Sequence, residues 1–274
     1  SIEDTEFTGG INTLNFSNGF RVTKNLSLGV RASFLFGATN STIETTIERG
    51  GVPLGVPTLF LRDTNYSGHN FGFGASYDFN INESQGMTFG VTYDLASELE
   101  GTRTTTYERI TSESDLSSLD EVVDAYSIPE ILGFGVSWQK RNLLTIGLDV
   151  VYTKWDEKAG FATDSEEYRE TLDFGLGLEL TPKYDDISSY LNRVKYRLGF
   201  NYEQNPNVIE GNTFNDVGMT FGVALPIRGI SAVNLSCKMG RRGDLGNGLV
   251  RENYTKLVFG ATINDRWFVR RKYN

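Results

Sequence analysis

A chain of 274 residues, 39% of them hydrophobic, is long enough for one all-β domain or two smaller ones, and it has no apolar run of about 18 residues that would span a bilayer as a helix. The net charge of −9 argues against a nucleic-acid partner, and Cys237 as the only cysteine excludes an intrachain disulfide. Low overall hydropathy does not exclude a membrane barrel, whose strands hide their lipid-facing side chains in alternation.

In chain order, alternation predicts eleven strands: 10–23, 27–47, 67–80, 86–107, 130–140, 143–155, 168–181, 192–203, 214–226, 230–241 and 252–268. Several exceed the five or six residues usual in globular strands and match the roughly 9–11 that a tilted membrane strand needs. In the third, Phe71, Phe73, Ala75, Tyr77 and Phe79 share a face opposite Gly72, Gly74, Ser76 and Asp78. In the seventh, Phe174, Leu176, Leu178 and Leu180 oppose Asp173, Gly175, Gly177 and Glu179. Periodicity alone fits a soluble barrel or sandwich with the apolar face inward, or a membrane barrel with it outward.

The connections separate these readings. Short turns, such as 23–25, 80–85, 139–142 and 225–229, alternate with mostly long polar loops at 48–66, 108–129, 156–167, 204–213 and 242–251. Outer-membrane barrels combine short periplasmic turns with long outer loops. Aromatics gather at two levels. Tyr66, Tyr107, Tyr152, Trp155, Tyr168, Tyr202, Phe214 and Tyr254 lie near the long loops; Phe20, Phe79, Trp138, Trp267 and Phe268 lie at the other end. Such rings suit the half-wet layer at each bilayer surface. The expected fold is therefore an all-β, antiparallel, up-and-down transmembrane barrel of the outer-membrane type over residues 1–274. Its loops would be extracellular and its C-terminus periplasmic. Bacterial barrels of one chain have even strand numbers. An odd count, and a start at Ser1 without an export signal, lead to the expectation that this is the C-terminal portion of the barrel, with upstream strands absent.

Three stretches carry a family resemblance: "IPEILGFGVSWQKRNLLTIGLDVVYTKWDE", "YRLGFNYEQNPNVIEGNTFNDVGMTFGVALPI" and the opening "GGINTLNFSNGFRVTKNLSLGVRASFLFG". Together with the tail "NDRWFVRRKYN" they resemble the FadL/TodX family of outer-membrane transporters, in the form of its bacteroidete-type relatives. The resemblance implies about fourteen strands around an N-terminal hatch, passive passage of hydrophobic molecules such as long-chain fatty acids, and no cofactor. The tail departs from the common barrel ending: Asn274 follows the basic run Arg270, Arg271, Lys272, so the insertion signal would be "RWF" ahead of it.

No residue pattern points to an enzyme. His69 is the only histidine and is expected at a solvated rim; Cys237 shares the apolar parity of Val233, Leu235 and Met239. The glycines of "FGFGAS" and "FGLGLE" alternate within strands and lack the following helix that a phosphate loop needs. The acidic segment 112–127 lacks calcium-loop spacing; a solvated loop, or a short helix over Ser118–Tyr126, is expected there. By parity Arg21, Arg31, Asp78, Asp94, Asp149, Asp173, Glu179, Lys195, Arg197, Glu203 and Lys256 share the polar face. Arg21, Arg31, Lys195 and Arg197 are the candidates to meet a ligand carboxylate or the hatch; the alternative is pairing with neighbouring strands. Tyr152, Trp155, Tyr168, Tyr202, Trp138 and Trp267 are the candidate interface aromatics. Expected partners are outer-membrane lipid and lipopolysaccharide, a hydrophobic ligand, and other outer-membrane proteins reached through the long loops. The expected function is outer-membrane transport of hydrophobic small molecules, with two alternatives: a structural or docking subunit of a secretion or assembly complex, and a water-filled porin.

Overall fold

The computed structural model describes residues 2–46, 48–49, 52–53, 58–109, 116–155, 167–208, 211–227, 231–243 and 250–263. Their strands are β1 (Ile2–Arg21), β2 (Leu26–Thr46), β3 (Glu48–Arg49), β4 (Val52–Pro53), β5 (Thr58–Asn82), β6 (Gln85–Asp94), β7 (Ser97–Arg109), β8 (Leu116–Ile128), β9 (Glu130–Lys140), β10 (Leu144–Lys154), β11 (Glu167–Tyr168), β12 (Thr171–Leu180), β13 (Lys195–Gln204), β14 (Asn207–Val208), β15 (Asn215–Pro226), β16 (Ala232–Arg242) and β17 (Glu252–Thr262). One antiparallel sheet takes thirteen of them, along the path β1-β2-β5-β6-β9-β10-β12-β13-β15-β16-β17, with β7 pairing β5 and β8. Each strand on the path pairs the strand that follows it on the path, and the path runs in sequence order, the topology of an up-and-down barrel wall.

The eleven predicted strands correspond to the eleven on this path, with corrections on the long-loop side. β1 begins at Ile2 rather than residue 10, and β5 at Thr58 rather than residue 67. The predicted strand 86–107 is two strands, β6 and β7. From Leu116 onward the acidic segment is neither loop nor helix, its residues 112–115 lying outside the described ones: β8 pairs β7 from Ser97↔Ile128 to Glu108↔Leu116. Its Val122, Val123 and Ile128 have a β preference that the acidic residues obscured. β17 ends at Thr262, and the predicted segment 263–268, with Trp267, Phe268 and the tail, lies outside the described residues apart from Ile263.

The interruptions in the two long hairpin arms sit at one level. Leu95 and Ala96 separate β6 from β7, and Pro129 separates β8 from β9. Proline has no amide hydrogen to give a ladder, so pairing stops there. Asn70 on the neighbouring β5 fills the gap: its Nδ2 donates to Leu95 O at 2.6 Å and to Ser97 Oγ at 3.3 Å. Leu95 N still donates to Phe71 O at 3.0 Å. Just above, Leu99 is fully buried with its side chain over Gly68, and Tyr66 meets Tyr126 edge-on with centroids 6.5 Å apart. Tyr66, expected in the rim belt, is instead buried on the face that carries Arg31.

The short turns close by local side-chain bonds. Thr23 Oγ1 accepts from the amides of Asn25 and Leu26, and Asn82 Oδ1 from the amide of Ser84. Asn142 takes φ 58°, a left-handed conformation that asparagine tolerates better than most residues. The longer turn 181–194 folds around Asp186, whose carboxylate accepts from the amides of Ser188 (2.8 Å) and Ser189 (3.3 Å) and from Asn192 Nδ2 (2.6 Å).

Register then sorts the faces. Val30, Phe73 and Tyr93 stand side by side, as do Leu148, Leu176, Phe200 and Met219. On the other face Arg31, Gly72 and Asp94 align, as do Thr145, Glu179, Arg197 and Gly222. The apolar face is left bare: Phe73 is 50% exposed, Leu176 49% and Phe221 51%, whereas Tyr66, Leu99, Val194 and Ala224 are the buried hydrophobic residues among those described. An apolar surface of this extent belongs against lipid rather than water.

Candidate functional site

The polar face is organised as cross-strand clusters seated on glycines. Arg31 Nη2 and Asp94 Oδ1 form an ion pair at 2.6 Å although β5 lies between their strands. The intervening residue is Gly72, where a Cβ would collide with Asp94 Oδ1 and press on the Arg31 guanidinium. The missing side chain is therefore what lets the pair span three strands.

A second cluster centres on Glu179. Its Oε1 accepts from Lys195 Nζ at 2.9 Å and its Oε2 from Arg197 Nε at 2.8 Å. Arg197 Nη1 also donates to Asn234 Oδ1 at 3.1 Å, and Asn234 Nδ2 to Thr262 Oγ1 at 3.2 Å, so the chain of contacts runs from β12 to β17. A third lies toward the long loops. Asp216 receives Arg242 Nε at 3.2 Å and the Tyr254 hydroxyl at 2.7 Å, with the Tyr254 ring lying across Gly240. Tyr254, expected in the aromatic belt, has the wrong parity for it: it faces Gly240 and shares its face with Lys256. Its alternation with Lys256 already carried that signal.

Three of the four candidate ligand-binding cations, Arg31, Lys195 and Arg197, are thus paired with carboxylates of neighbouring strands. Arg21 stands on the same face, opposite Ser27, and makes no ion pair among the described residues. The pairs are partly exposed, so each is worth at most about 1 kcal/mol. Their main effect is positional, cross-linking the interior surface.

The aromatic candidates divide by face and level. Trp138 stands between Met87 and Ile146 toward the short turns, Tyr152 between Leu132 and Leu172, and Tyr202 between Phe174 and Val217, all on the apolar face. Trp155 and Tyr168 stack with centroids 6.0 Å apart where β10 leaves the sheet. Beside them Arg169 donates to Asn205 O, Phe214 O and Asn215 Oδ1, tying two long-loop connections together. His69 is not at a rim: it lies within β5, opposite Phe34 on the apolar face and edge-on to Phe71. Extension of β5 beyond the predicted end moved it inward. Cys237 lies between Phe221 and Leu257 on the apolar face. Among the described residues no group of His, Cys, Asp and Glu is placed to hold a metal ion.

An unbroken antiparallel wall, bare and apolar on one side, charged and cross-linked on the other, is an outer-membrane β-barrel. The BamG family profile matches residues 2–274, and the chain belongs to that family. No curated protein sequence matches it. Among solved structures it is similar to the CymD monoaromatic hydrocarbon channel, with a TM-score of 0.58, 14% identity, and coverage of 86% of this chain and 69% of that one. It is also similar to the RagAB peptide importer in its closed-closed state (0.55, 12%, 96% and 35%) and to the toluene transporter TodX of P. putida (0.52, 15%, 86% and 64%). The chain therefore spans about a third of the RagAB chain and just under two thirds of TodX. At these identities the likeness concerns the fold, and the resemblance to FadL/TodX barrels read from the sequence holds at that level.

Proposed function

We propose that the chain forms the wall of a passive outer-membrane channel for hydrophobic small molecules, with long-chain fatty acids among the candidate cargoes. The observation that carries this is the fold shared with CymD and TodX, whose names describe a hydrocarbon channel and a toluene transporter. In this reading the long-loop rim faces outward and captures the cargo, and β17 descends toward the periplasm. Binding in such a channel is dominated by apolar contact, which agrees with Arg31, Lys195 and Arg197 being engaged with carboxylates. Deletion of the gene should lower uptake of labelled fatty acid or aromatic hydrocarbon by whole cells, and re-expression should restore it. Unchanged uptake would remove the proposal.

A second reading has specific support: membership of the BamG family, and the pair of strands β7 and β8 added above the interrupted strands. In it the barrel is a structural or docking subunit of an outer-membrane assembly complex, with the long-loop side as the dock. Stoichiometric co-purification of other outer-membrane proteins, with uptake intact in the deletion strain, would favour this reading over the first.

A further inference from the structure

At the short-turn end, the β9–β10 turn, the 181–194 connection and the starts of β13 and β16 border a half-open cavity of about 690 Å³. That lies within the roughly 300–1,000 Å³ of small-molecule sites. Its charge runs against that of the chain. Lys140, Arg141, Arg193 and Lys195 line it with a single carboxylate, Glu179, in a protein of net charge −9. Glu179 is already engaged by Lys195 and by Arg197. Among the described residues, the side chains of Lys140, Arg141 and Arg193 have no carboxylate within ion-pair distance. Arg193 instead lies over the Tyr190 ring, 5.3 Å from its centroid.

The walls are tied together before any ligand arrives. Arg141 N donates to Ser84 O (2.7 Å), Thr181 N to Leu143 O (2.8 Å), and the Tyr190 hydroxyl to Pro226 O (2.9 Å), so each neighbouring connection is bonded to another. Leu143, Tyr184 and Pro226 add apolar lining between the cations. A site holding three uncompensated cations beside apolar surface is complementary to a head with anionic oxygens on a short apolar body. Arginine forks suit such oxygens in particular.

We propose that this cavity binds an anionic amphiphile, a phosphate or carboxylate head held by Arg141, Arg193 and Lys140 with its apolar part against Tyr184 and Pro226. The proposal stands apart from the channel reading: it concerns the mouth at the short-turn rim and holds whether or not cargo passes through the barrel.

The test is calorimetric titration of hexyl phosphate into the full-length protein in nanodiscs of zwitterionic lipid, with hexanol and inorganic phosphate as comparison probes. We expect one site per chain for hexyl phosphate, weaker binding of inorganic phosphate and none of hexanol. The Arg141→Glu/Arg193→Glu variant should bind about tenfold more weakly or worse. Arg141→Gln, which adds no repulsion, keeps the test usable if the double variant folds poorly, and should also bind more weakly. Repeating the titration with phosphatidic acid in the disc identifies the source: competition assigns the site to a membrane headgroup, and its absence to a free organic anion. No heat with hexyl phosphate, equal binding of hexanol, or full affinity in Arg141→Gln would each overturn the proposal.

Discussion

The wall has two halves built to different plans. From β1 to β9 it is tall: β1 has 20 residues, β2 has 21 and β5 has 25, and the stacked pairs β6–β7 and β8–β9 reach a similar height. From β10 to β17 the path strands have 10 to 12 residues, the length a bilayer requires. The short half is held by lipid outside and charge clusters inside. The tall half adds a part with its own buried contacts, among them Leu99 beneath Tyr66 and Tyr126. One sequence thus makes a membrane wall in both halves and extends that same sheet above it in only one.

Substitutions that act on one half and spare the other test this division. The largest effect is expected from Leu99→Ala, which removes the fully buried side chain of the tall half and should cost about 2–5 kcal/mol. Hydrogen exchange should localise the loss to β7 and β8 and leave β12–β16 protected. Loss spread over both halves would show that the extension is not a separate unit. Next comes the short half, where Leu176→Arg puts charge on the lipid face and should cost about 2–4 kcal/mol in urea-refolding titrations into bilayers. The adjoining Gly177→Arg enters open space on the polar face and should be close to neutral. Equal costs would invert the assignment of faces.

Asn70→Ala should cost about 1–3 kcal/mol, because it leaves the Leu95 carbonyl without its partner at the joint between the two parts of the tall half. Glu179→Gln, in the short half, should change stability by less than about 1 kcal/mol while freeing Lys195 and Arg197, which chemical modification of Lys195 would detect. The smallest effect concerns the Asp186 turn. The Asn192 side chain, followed by the Ser188 amide, holds its carboxyl below the ordinary carboxylate range. A lowered folded pKa contributes stability above the unfolded value and loses it as pH falls through the folded one. The protection factors of the Ser188 and Ser189 amides, taken against the intrinsic exchange rate at each pH, should therefore fall on acidification below the ordinary carboxylate range. Asp186→Asn should remove most of that pH response while β5–β8 remain unaffected.

The short half was legible in the sequence because one physical demand shapes it. Apolar side chains must face lipid, so period two runs along each path strand from β10 to β17 and predicts these strands within a few residues. The tall half lies beyond that demand. From Leu116 to Ile128 polar residues occur at both parities of the sequence, alternation fades, and hydrophilic sequence reads as loop although the backbone pairs with β7. His69 reads as a rim residue for the same reason: clear alternation starts only near residue 67, whereas β5 begins at Thr58. The polar face was readable as a list of inward charges, but not as pairs. Arg31 and Asp94 are 63 positions apart, and only the register across β5 brings them together.

The glycine beneath that pair has a consequence for how related chains can vary. Gly72 cannot acquire a side chain while Arg31 and Asp94 keep their bridge, because a Cβ would occupy the space of the carboxylate. The three positions should therefore change together across relatives: a larger residue at 72 is expected only where 31 or 94 has lost its charge. Evolution at this spot is coupled through a vacancy, and an aligned set of homologous sequences would reveal it as covariation between residues that never touch along one strand.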